Sequence, residues 1–223
     1  MNLLSEGRRP AEQQEITKLL QQKETLLLEV QHRVANSLQI IAGILMHKAR
    51  TVQSTETRSH LQDAYHRVLS VATLQSYLQV SRQGEMIELA PYLRRLCDIL
   101  ATSMIDDNRS ISLQMEADVG SALPDDAVSI GLIITELVTN AMKYAFPSGA
   151  TGEVSIRYDV EGANWRLSVS DNGVGLRKNG PGRTGLGTSI VGALATQLKA
   201  HVKTWSNSHG TTVSIIHWTS DRG

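Results

Sequence analysis

The sequence predicts an α+β protein in two parts, a long helical hairpin followed by an α/β sandwich of sheet and helices. Three observations predict it. Residues 11–49 contain no Pro and a single Gly, Gly43, among many Glu, Gln, Leu and Lys residues that favour helix. Apolar residues recur there at Leu27, Val30, Val34, Leu38, Ile41 and Leu45, the stride of a helical stripe. Beyond about residue 86, segments that alternate apolar and polar residues are interleaved with helical ones, the texture of a sheet carrying helices on one side.

Taken in order, the first helix spans about 10–49, and Leu20, Leu27, Val34 and Ile41 within it are seven apart, which suits a bundle seam. The polar run TVQSTET (51–57) reads as a loop. A second helix over about 55–82 carries Leu61, Ala64, Tyr65, Val68, Ala72 and Leu78 on its apolar face. Two such helices make an antiparallel hairpin. One hairpin cannot bury both stripes well, so a homodimer closing a four-helix bundle is expected. SRQGEM (81–86) marks the boundary between units at 10–83 and 86–220. MIEL (86–89) predicts a strand and PYLRRLCDILATSM (91–104) a helix with Pro at its first position. SISLQME (110–116) predicts a strand, and residues 123–146 a long helix stopped by Pro147. GEVSIRYDV and NWRLSVSD read as a hairpin turning at 161–163. TSIVGALATQLKA (188–200) is a helix, and HVKTWSNS and GTTVSIIHW are closing strands.

Composition removes several classes of function. Lys+Arg and Asp+Glu balance at 22 each, so no global field attracts nucleic acid or an anionic membrane. The single cysteine, Cys97, lies in an apolar stretch and reads as a core residue; no disulfide can form within one chain, which fits a reducing compartment. Apolar runs such as IIAGILM (40–46) fall far short of the ~20 residues of a membrane span. The expected location is the cytoplasm.

Three segments in the second unit carry chemistry. In TELVTNAMKYAF, Glu136 and Asn140 are four apart on a helix and Lys143 lies near them, a carboxylate, an amide oxygen and an ammonium on one face. Mg²⁺ takes hard oxygen ligands and keeps waters and phosphates in its shell. Asn140 could supply such an oxygen, Lys143 could offset phosphate charge, and Glu136 could orient water or accept a proton. A solvated polar helix face would explain the same residues. In SDNGVGL, Asp171 ends a strand and Gly173 and Gly175 let the backbone turn. A buried Asp there could accept a hydrogen bond from the adenine amine, though an ordinary Asx turn would also fit. TGLGTSIV places Gly185 and Gly187 at the opening of a helix whose N-terminus favours anions, after the basic, glycine-rich RKNGPGR.

The succession of these segments resembles the N, G1 and G2 boxes of the ATP-binding domain shared by gyrase-type ATPases, Hsp90, histidine kinases and MutL, the Bergerat type of sandwich. The resemblance covers about 123–218. It implies that Asn140 binds Mg²⁺, that Lys143 contacts phosphates, that Asp171 reads adenine, and that Thr211, in GTTVSI, supports adenine.

The first helix offers the other half of a reaction. At about 100° per residue, His32 points about 160° from the apolar stripe, with Asn36 one turn on. The other six histidines, His47, His60, His66, His201, His209 and His217, read as structural or solvated. EVQHRVANSLQIIAGIL resembles the H box of the HWE and second-HisKA branches of sensor histidine kinases: His32 matches the phosphoacceptor, and Arg33, Asn36, Leu38 and Gln39 match its flanks. Gln31 stands where these families often carry a second His, Ser37 where Asn is frequent, and Thr135 opens the N box in place of His. With no Trp-x-Glu motif between the G boxes, the chain resembles the second-HisKA type more than HWE proper.

The resemblance implies an ATP- and Mg²⁺-dependent protein-histidine kinase, with His32, Glu136 and Asn36 at the reacting centre. It further implies that the phosphoryl group passes to the aspartate of a response-regulator receiver domain in two-component signalling, and that a sensor domain outside this chain, or a partner, supplies the signal. Two alternatives remain open: a histidine phosphotransfer protein that binds no ATP, and a gyrase-type ATPase or serine kinase in which Glu136 activates water.

Overall fold

The computed structural model describes residues 8–78, 86–105, 110–147, 150–176 and 186–219. The boundary segment 81–85, all of RKNGPGR (177–183) and Gly185 lie outside the described residues.

Helix α1 (Arg8–Thr51) and helix α2 (Thr55–Leu78) form the hairpin. The loop is shorter than the seven residues expected because Ser54 caps α2: its Oγ accepts from Thr57 N at 3.2 Å, which starts the helix inside the polar run. Small residues outside the apolar stripe pack α1 within the hairpin. Ala35, Ala42 and Ala49 are buried, whereas Val34 and Ile41 of the expected seam are 41% and 44% exposed. Small side chains let two helix backbones approach closely, so the alanines take the contact within the chain. The larger residues are left facing outward.

Strand β1 (Ile87–Glu88) is shorter than predicted, because Leu89 already opens helix α3 (Leu89–Met104). Pro91 is therefore the third helical residue, still within the first turn, where its missing N–H has no partner to lose. Leu89, Tyr92, Leu93, Leu96, Cys97 and Leu100 form the buried face of α3, at 3.6-residue periodicity. Strand β2 (Ile111–Ala117) follows, then the two-residue β3 (Ser121–Ala122), too short to be read from sequence, which pairs with β1. Helix α4 (Pro124–Tyr144) starts with Pro at its first position and acidic Asp125 and Asp126 in its first turn. Strands β4 (Gly152–Glu161) and β5 (Asn164–Asp171) form the predicted hairpin, with Gly162 at φ +60° in the turn. Helix α5 (Leu186–Gln197) and strands β6 (Ala200–Asn207) and β7 (Gly210–His217) complete the sequence.

The main sheet has the order β2-β4-β5-β7-β6, with β2 parallel to β4 and the other pairs antiparallel. Val154, Ile156, Tyr158, Leu167, Val169 and Ile215 alternate onto the face that shares one core with α3, α4 and α5. The other face carries hydroxyl pairs, Ser168 with Ser214 and Ser170 with Thr212, each at 3.0 Å. This is the sheet-and-helix sandwich expected from the alternating segments.

Candidate active site

The end of β5 positions the Asp171 carboxylate. Asp171 pairs with Thr211 across β5 and β7, and its Oδ1 accepts from Thr211 N at 3.2 Å and Gly173 N at 3.0 Å. Both bonds fall on one oxygen, which leaves Oδ2 for a ligand. Burial raises the carboxyl pKa above its ordinary value, against the two backbone donors that lower it. Close backbone approaches enforce the glycines around it. A Cβ at Gly173 would lie 2.3 Å from Ala145 O, and one at Gly175, which has φ +69°, would lie 1.8 Å from Asn207 O. Val174 N donates to Ala145 O at 2.9 Å, so the loop after β5 is fastened to the C-terminal end of α4. The side-chain hydroxyl of Thr211 bonds Ser206 Oγ at 3.0 Å.

Helix α4 brings the next residues to the same region. Asn140 is half-buried, and Gly187 at the start of α5 sits beside it: a Cβ on Gly187 would lie 3.6 Å from Asn140 Nδ2 and 2.7 Å from Glu136 Oε2. Glycine lets the start of α5 approach the Glu136 carboxylate this closely. Among the described residues no group of three or more His, Cys, Asp or Glu could hold a metal ion alone. A single amide oxygen, that of Asn140, fits Mg²⁺, which takes hard oxygen ligands and completes its shell with phosphates and water.

Two expected site residues have partners that the sequence does not announce. Glu136 is 5% exposed and forms a bidentate pair with Arg67 of α2: Arg67 Nε donates to Oε1, and Nη2 to Oε2 at 3.0 Å. Lys143 Nζ donates to Asp63 Oδ1 at 2.5 Å and to Ser59 Oγ at 2.8 Å. The face Glu136–Asn140–Lys143 is therefore neither simply solvated nor wholly turned to a ligand, since α2 holds two of its three groups. Ser59, Asp63 and Arg67 lie four apart along α2 and so share one face. Nothing local showed what that face would meet.

His32 and Asn36 lie on α1, exposed and one turn from each other. Their neighbour Arg33 reaches back to Glu29 at 2.6 Å. Helix α1 packs on α2, and α2 carries the contact to α4. Asp171, Gly173 and Thr211 are thus joined at the end of β5, Asn140 and Gly187 meet between α4 and α5, and His32 and Asn36 lie on α1. Cys97 is buried, and burial pushes its thiol up to about 12, so it is no nucleophile.

Comparison with known proteins matches both halves. Residues 29–104 fit the histidine kinase family of the second-HisKA type, and residues 125–221 the family described as histidine kinase-, DNA gyrase B- and HSP90-like ATPase. The chain belongs to the histidine kinases. This histidine kinase is 34% identical over 156 residues to the sensor histidine kinase PdtaS of Mycobacterium tuberculosis, a match covering 69% of this chain and 30% of the relative. It is 30% identical over 196 residues to blue-light-activated histidine kinase 2 of Erythrobacter litoralis, covering 85% of this chain and 56% of that protein. The chain thus spans about a third to just over half of the length of these relatives. The solved histidine kinase domain of an Erythrobacter litoralis blue-light activated kinase superposes with a TM-score of 0.66. At 24% identity, over 81% of this chain and 94% of that one, this likeness shows a shared fold. No helix among the described residues is long and apolar enough to cross a membrane.

Proposed function

We propose that this chain is an ATP-dependent protein-histidine kinase that phosphorylates His32 and passes the phosphoryl group to a response-regulator aspartate. One observation carries the reading. The Asp171 carboxylate, held on one oxygen by two backbone N–H groups, and Asn140 beside the glycine that opens α5 offer the groups a nucleotide and its metal need, while an exposed histidine stands on a separate helix.

In this reading Asp171 selects adenine through its free Oδ2, and its raised pKa follows from the dry pocket that base recognition needs. Thr211 holds that carboxylate through its amide. Asn140 would hold Mg²⁺, which when bound neutralises charge on the phosphates. Lys143 contacts the phosphates once it leaves Asp63. An imidazole nitrogen of His32 attacks the γ-phosphorus, forming an N–P bond as the bond to ADP breaks. The chain contributes mainly positioning and charge stabilisation to that step. Glu136 is tied to Arg67 and acts as a docking residue in this conformation; as a proton acceptor it would first have to leave that pair. Asn36, one turn from His32, orients the imidazole or its departing proton. Residues 10–83 serve as the dimerisation and phosphotransfer unit, and residues 86–220 as the donor unit. The exposed Leu20, Val34 and Ile41 supply the seam of a homodimer.

Incubation with γ-labelled ATP and Mg²⁺ tests the proposal. Label that is acid-labile, alkali-stable and lost in His32→Ala is expected; equal labelling of that variant refutes it. Mixing His32→Ala with Asn140→Ala chains then separates transfer within a protomer from transfer between protomers.

A further inference from the structure

The two charged N-box residues are both engaged by one face of α2. Asp63 and Arg67 are one turn apart on α2, while Lys143 and Glu136 lie two turns apart on α4 in the reverse order. The pairs therefore fix an antiparallel register between the hairpin and the sandwich. The surface between them is polar for a buried contact. His66, Ser70 and Thr73 are buried along with Leu74, and neither ring nitrogen of His66 has a hydrogen-bond partner among the described residues. A contact that strands a buried polar ring and relies on ion pairs resembles the polar, reversible interfaces between domains more than a permanent core.

Asp63 is the decisive member. Its carboxylate is an anion bonded to the ammonium that the proposed function assigns to nucleotide phosphates. An ammonium has three donors, but a phosphate arriving at Lys143 would meet the Asp63 charge at close range. We infer that Asp63 is an autoinhibitory stand-in for a nucleotide phosphate. Docking of the sandwich on α2 and binding of the nucleotide compete for Lys143, so the nucleotide loosens the hairpin contact and frees the donor unit to travel to His32. Arg67 and Glu136 hold the register that keeps Asp63 on Lys143. The inference rests on the reading of Lys143 as a phosphate contact, and the experiment separates the two.

The test is a titration of the full chain with a non-hydrolysable ATP analogue and Mg²⁺. Asp63→Asn, which keeps the shape and removes the charge, is expected to bind about fivefold more tightly. Asp63→Glu, which keeps the charge, returns the affinity towards that of the unaltered chain. Ser59→Ala, which removes only the neutral contact, shifts it in the same direction as Asp63→Asn but by less. Lys143→Ala is expected to bind more weakly, and adding Asp63→Asn to it brings no further gain. If Lys143→Ala weakens binding but Asp63→Asn leaves it unchanged or weaker, the autoinhibitory role is overturned while the phosphate contact stands. If Lys143→Ala binds as tightly as the unaltered chain, the phosphate contact fails and the inference fails with it.

Discussion

His66 sits on the face of α2 that packs against α4, 6% exposed and with both ring nitrogens unbonded among the described residues. Burial pushes its pKa down from 6.5 to about 4; Asp63 nearby opposes the shift, and Lys143 adds to it. Asp63 and Lys143 are the charges that act on it. Between about pH 4 and 6.5 the unfolded chain therefore binds more protons at this position than the folded one, so stability falls as pH falls. The loss over the whole window comes to about 3 kcal/mol, and the step from pH 7 to pH 5 to about 2 kcal/mol. Urea unfolding followed by far-UV circular dichroism at those two pH values measures it. His66→Leu cannot titrate and removes the stranded ring, so it should gain about 1 kcal/mol at pH 7 and lose about 2 kcal/mol less than the parent on acidification. Most carboxylates titrate below pH 5, and those that do not are common to both chains. Equal losses in the two chains would show that His66 is not the group that carries the acid sensitivity.

Two further outcomes follow from the geometry. Arg67→Ala leaves the buried Glu136 carboxylate without its partner and should lower stability by about 3 kcal/mol in urea, whereas Arg67→Met with Glu136→Leu should recover most of that loss. Gly173→Ala drives a Cβ against the backbone oxygen of Ala145 and should weaken nucleotide-analogue binding by about tenfold or more, while Gly162→Ala, with φ +60° and open space around it, should cost about 1 kcal/mol of stability and leave binding unchanged.

Much of the fold was legible because its signals are local. Alternation set β2, β4, β5 and β7, and the glycine at the β4–β5 turn matches its positive φ. The two-residue strands β1 and β3 were less so, since a strand that short has no period to read. The alanine contact within the hairpin did not stand out in the sequence. Large residues dominate any hydrophobic stripe read from sequence, but the close crossing of α1 and α2 selects Ala35, Ala42 and Ala49. In the site, Asp171, Gly173 and Gly187 were legible because turn chemistry and the absence of a side chain leave marks in the sequence. Asp63, His66 and Arg67 were not. A DxxHR run on a helix looks like any solvated face until something is packed on it.

The sequence by itself determined the helices and strands, the three glycine- and polar-marked segments, and the exposure of His32, which follows from helical phase alone. Tertiary structure alone decided what the N-box charges do at rest. Glu136 meets Arg67 from 69 residues away, and Lys143 meets Asp63 from 80 residues away. Periodicity and turn chemistry act between neighbours along the chain, whereas ion pairing and desolvation act through space. Only the packing of α2 on α4 could turn a row of ordinary polar residues into the contact that holds the donor site.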